Sequence, residues 1–70
     1  MIPDAERVER ARAAHEAANS AHELERMLLS VSHALRRGET PDATTLMFIP
    51  ATRDRLAALI ALAGIAPTER

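Results

Sequence analysis

Apolar and small residues recur at spacings of three and four from position 14 onward: Ala14, Ala17, Ala21, Leu24, Leu28, Val31 and Leu35. This period places them on one stripe of an α-helix. No proline or glycine occurs between positions 4 and 37, and Arg36-Arg37-Gly38 supplies a cationic last turn followed by a left-handed stop. Pro3 and Asp4 suit the opening turn. The pattern predicts a first helix over residues 4–37, ~50 Å long at 1.5 Å per residue.

Gly38-Glu39-Thr40 reads as a short connector over 38–40, after which Thr40-Pro41-Asp42 supplies a threonine cap and a proline in the first turn. A second helix is expected over 41–63, kinked or broken near Pro50, where a missing N–H and a ring clash interrupt the ladder. Its apolar face is Phe48, Ile49, Thr52, Leu56, Leu59, Ile60 and Ala63. Gly64, Ile65 and Pro67 mark its end, leaving a frayed tail over 65–70. The run 44–49 also carries β-branched and aromatic residues between prolines, so an extended segment paired with another copy is the alternative. The fold expected is all-α: an antiparallel helical hairpin with a long first helix, one domain over 1–70, assembling into a four-helix bundle or larger oligomer.

The case for assembly begins with a second stripe on the first helix: Val8, Ala11, His15, Ala18, His22, Glu25 and Leu29, nearly opposite the first. A helix with two such faces can pack on its hairpin partner and also on another chain. The expected oligomer interface is therefore Val8, Ala11, His15, Ala18, His22 and Leu29, with Phe48 from the second helix. The first helix also outruns the second by about ten residues, so positions 4–13 are expected to project without an intramolecular partner. On this register Leu28→Asp abolishes folding and Ala18→Arg splits the assembly.

Composition changes the picture mainly by exclusion. Fifteen alanines and eight leucines beside nine arginines and ten acids describe helices, not sheets. The absence of cysteine removes disulfide scaffolds, thiolate metal sites and thiol nucleophiles. A net charge of −1 and one aromatic residue, Phe48, disfavour nucleic acid as a partner. All nine basic residues are arginine, a bias that fits a GC-rich genome better than a recognition role. The opening residues lack the apolar core of a secretory signal and no run suffices to span a bilayer, so a cytoplasmic protein without membrane contact is expected.

Candidate chemistry is sparse. Ser20, Ser30 and Ser32 lie within a helix, no nucleophile elbow or phosphate-binding glycine loop is present, and Glu23 and Glu25 diverge at a spacing of two. No catalytic residue and no cofactor is implied. Three non-catalytic readings remain. The first is a small homo-oligomeric regulatory or adaptor module that presents a helical surface to another protein, through its projecting N-terminal turns or the cluster 46–49. The second is an oligomeric binder of a small phosphorylated or nucleotide ligand at Arg36, Arg37, Arg53 and Arg55. Within one chain, Arg53 is expected to pair with Glu25. The third is a metal site in the bundle core at His15, His22 and Glu25, contributed by two chains. Ile49-Pro50-Ala51-Thr52-Arg53-Asp54 resembles a turn of phage helical-hairpin proteins that sequester cyclic nucleotide signals. The likeness covers six residues, and the tryptophan and the longer following helix of those proteins are missing.

Overall fold

The structure, a computed structural model, describes residues 4–65. It contains two helices, α1 (Asp4–Arg36) and α2 (Ala43–Leu62), and no strand among the described residues. Positions 1–3 and the tail 66–70, to which Pro3 and most of the expected frayed end belong, lie outside the described residues.

Both helices end by one device. Gly38 sits at φ 74° and Gly64 at φ 72°, the left-handed region where a side chain is disfavoured. After α1, Gly38 N–H donates to the Leu35 carbonyl at 3.1 Å and Glu39 N–H to that of Ala34 at 2.8 Å. After α2, Gly64 N–H reaches the Ala61 carbonyl at 3.1 Å and Ile65 N–H that of Ile60 at 3.3 Å. This paired return of N–H groups satisfies carbonyls that a helix end leaves open.

The start of α2 differs from expectation. Asp42, not Thr40, is the cap: its backbone is extended (φ −60°, ψ 128°), and its carboxylate accepts from Thr45 N–H at 3.1 Å and from the Thr45 hydroxyl at 3.3 Å. The helix thus begins two residues later than the proline signal suggests, and the connector spans 37–42. Pro41 precedes the cap and restrains Thr40 to an extended conformation. The alternative of an extended segment over 44–49 is overturned, because this cap nucleates the helix directly ahead of it. Nor is α2 broken at Pro50: Ala43–Leu62 is one continuous helix with the proline inside it. The six-residue likeness to a phage-protein turn therefore falls within a helix, where there is no turn.

The helices pack as an antiparallel hairpin whose seam on α1 is Ala13, Ala17, Ser20, Leu24, Met27, Val31 and Ala34, an alternation of four and three. Only Ala13, Ala17 and Ser20 of these are buried. From α2 come Thr45, Ile49, Leu56, Leu59, Ile60 and Ala63, partly buried, and Thr52, buried. The α1 seam is thus displaced by one residue from the sequence expectation at every second position. Ala17, Leu24 and Val31 stay in it, whereas Ala21, Leu28 and Leu35 are exposed and Ala14 is partly buried. Toward the N-terminal half of α1 the seam takes the small residues Ala13, Ala17 and Ser20, which permit close packing of the helices, whereas Leu24, Met27 and Val31 line it toward the turn. Phe48, placed on the inner face by its spacing, is 52% exposed.

The molecule extends over 55 × 29 × 14 Å, a single layer of helices with two broad faces. The overhang of α1 is shorter than expected. Leu59 and Leu62 lie beside Glu9, Arg12, Ala13 and Glu16, and the Arg10 side chain passes close to Gly64, so only about the first six residues of α1 stand beyond α2.

Candidate interaction surface

The fully buried part of the seam is small, Ala13, Ala17 and Ser20 on α1 and Thr52 on α2, and many of the large side chains lie outside it. Val8, Leu28, Leu29, Leu35, Leu46, Met47, Phe48, Leu62 and Ile65 are all between 44% and 72% exposed. Part of this set gathers on one broad face of the hairpin, where Ala21, Leu24, Glu25, Leu28, Leu29 and Ser32 of α1 meet Leu56 of α2 around an open groove of about 480 Å³. Leu24 and Leu56 also belong to the seam, so the groove continues the core to the surface. The other broad face is more polar, with Glu16, Asn19, Glu23 and Arg55 beside Leu59 around one shallow depression and Glu23, Arg26, Ser30 and Thr45 beside Met27 around another.

The sequence-derived interface residues Val8, Ala11, His15, Ala18, His22 and Leu29 are all exposed. They run along the side of α1 that faces away from α2, and Leu29 is where this stripe meets the groove. Phe48 does not join them. It lies on α2 in the same column as Arg55, seven residues on, toward the polar face.

His15, His22 and Glu25 share the outer side of α1 and are exposed. Among the described residues, no three histidine, aspartate or glutamate side chains of one chain gather where they could hold a metal. The four arginines are not brought together either. Arg36 and Arg37 stand at the hairpin turn, whereas Arg53 and Arg55 lie level with the middle of α1, on the order of 15 Å away along the axis. Arg37 pairs with Glu39 across the turn. Arg53 pairs with Asp54 at 3.3 Å instead of with Glu25, because its sequence neighbour is reached without crossing the seam. Arg55 borders Glu16 and Glu23. With Arg10–Glu6 at 3.1 Å, the ion pairs are local and exposed, and none links α1 to α2 among the described residues. Such pairs contribute ~0–1 kcal/mol each, so the hairpin is held by its apolar seam and helix caps.

What the sequence reading missed is the groove itself. Its signal was present: Ala21 and Leu28 fit the three-four spacing as well as their neighbours in the true seam do, and two overlapping stripes on one helix imply a face left over. No helix of the described residues is long and apolar enough to cross a membrane. Compared with protein-family models, curated proteins and solved structures, the chain matches none.

Proposed function

We propose that the protein is a non-enzymatic helical module that self-associates and works through protein–protein contacts, as a regulatory or adaptor element. The observation that carries this reading is the imbalance of burial. Four described residues are buried, none of them a large hydrophobe, while nine large apolar side chains are about half exposed or more. Of these, Leu28 and Leu29 line one apolar groove, and an apolar patch left open on a folded chain commonly marks a surface that a partner covers. Fully burying one leucine is worth about 1.5–3 kcal/mol, and a lone hairpin of this thickness forgoes that at several positions. Helical faces of this kind are recognised by other helices through anchors three and four residues apart, which is the spacing of Ala21, Leu24 and Leu28.

Native mass spectrometry of freshly purified, unchelated protein tests the reading. The expected spectrum shows a whole multiple of the 7.6 kDa chain with no retained small molecule. A single chain at every concentration overturns self-association. A reproducible excess mass that vanishes in Arg53→Ala, or in His22→Ala, overturns the protein-contact reading in favour of an anion or a metal.

A further inference from the structure

We infer that the groove formed by Ala21, Leu24, Leu28, Leu29 and Leu56 is the surface on which a second copy of this chain docks, related by a two-fold axis, to complete a four-helix bundle. The inference rests on the self-association proposed above and adds the face and the geometry to it. The face it selects is the broad one beside the seam, not the outer stripe through Val8, His15 and His22.

Three observations support it. The first is area. The chain exposes 5786 Å², against about 4300 Å² for a compact globular chain of its mass. A standard pair interface removes about 800 Å² from each partner, so one interface of ordinary size removes roughly half of the excess. The second is continuity. Leu24 and Leu56 are half-buried in the hairpin seam and also line the groove, so a second layer placed there finishes the burial that the first layer begins. The outer stripe touches the groove only at Leu29 and shares no residue with the seam, and His15 and His22 stand at its centre.

The third observation is charge. The groove is uncharged except for Glu25 on its α1 side. On α2, Arg53 lies three residues before Leu56 and so shares its face. A two-fold axis makes an interface self-complementary, with residue i of one copy against residue j of the other and the reverse. Acid along one rim and arginine along the opposite rim fit that symmetry, each meeting its opposite on the second copy. The lone hairpin leaves this pair unmade, since Arg53 turns to Asp54.

The test is sedimentation velocity with far-ultraviolet circular dichroism on the full chain and two variants. Leu28→Asp puts a charge in the groove, and Val8→Asp puts one on the outer stripe at a side chain 57% exposed. Wild type and Val8→Asp are expected to sediment as pairs. Leu28→Asp, half exposed and so compatible with the hairpin, is expected to keep its helical signal but sediment as a single chain, its dissociation constant raised ~100-fold, as for a central apolar anchor. If Leu28→Asp loses its helical signal, Ala21→Arg, which enters the groove from an exposed helical position, carries the test by the same readout. A Leu28→Asp that stays paired while Val8→Asp dissociates overturns the groove and leaves self-association standing. A wild-type chain that is single throughout overturns both, and assigns the groove to a helix of another protein or to no partner.

Discussion

Gly38 and Gly64 are the two positions whose backbone forbids ordinary substitution, and they separate two effects that glycine replacements usually mix. Nothing lies within 4 Å of the place where a Cβ on Gly38 would stand, and on Gly64 the nearest atoms belong to the flexible Arg10 side chain at 3.6 Å or more. Space is available at both, so the cost of a side chain is conformational: the left-handed region is disfavoured for L-residues by about 1–2 kcal/mol. Gly38→Ala is therefore expected to lower the unfolding free energy by about 1 kcal/mol in urea titration. Gly38→Asn should cost less, because asparagine tolerates this region. An alanine variant as stable as wild type would mean that the turn can re-form without the left-handed residue. Ser20 and Thr52 show the opposite kind of constraint. Both are buried, and the Thr52 hydroxyl finds only the Met27 sulfur, at 3.9 Å, a weak acceptor. Their value to the seam is their size.

At the scale of the helices, Pro50 is the element's internal contradiction. A proline at this position gives no N–H to the Leu46 carbonyl four residues back, and interior prolines cost about 3 kcal/mol relative to alanine. Yet α2 runs through it from Ala43 to Leu62, because the Asp42 cap and the seam contact of Ile49 on one side and the seam contacts of Thr52 and Leu56 on the other hold both halves in one helix. Pro50→Ala, at an exposed site, is expected to raise stability by up to about 3 kcal/mol, read as a shift of the urea midpoint with an unchanged slope. A loss of stability would show that the seam depends on backbone geometry set by the proline. The glycine-marked helix C-termini were legible in the sequence, because a left-handed glycine acts through local backbone chemistry that needs no neighbour; the start of α2 was misplaced by two residues, because Thr40 and Asp42 both fit a cap and the aspartate takes it. The seam register was legible only in part. Stripes through Ala13, Ser20 and Met27 and through Ala14, Ala21 and Leu28 both satisfy the helical period and share Ala17, Leu24 and Val31, and hydrophobicity favours the second. Close approach of two backbones favours the first, and that term depends on the partner helix. The same ambiguity hides the groove, since the hydrophobic period assigns Leu28 to the hairpin core, where Leu28→Asp would abolish folding, whereas it is 50% exposed.

At the scale of the whole molecule, a flat two-helix layer and a two-layer bundle differ in how stability depends on concentration. A lone hairpin unfolds in a unimolecular transition, so its Tm is the same at any dilution. A paired hairpin gains stability by mass action, about 2.7 kcal/mol per pair over a hundredfold rise in concentration. Unfolding entropy near 2.1 cal/mol/K per residue, summed over two chains of 70 residues, converts this into a rise in Tm on the order of 10 °C. Calorimetric scans across that range are expected to show the rise for wild type and for Val8→Asp. Leu28→Asp should melt at one temperature throughout, close to that of the most dilute wild type. The slope carries the information, because a variant can lower Tm through a local defect at every concentration alike, but only loss of the second copy makes Tm independent of dilution. A flat response from the wild type would mean that the exposed leucines contribute nothing to this chain's own stability.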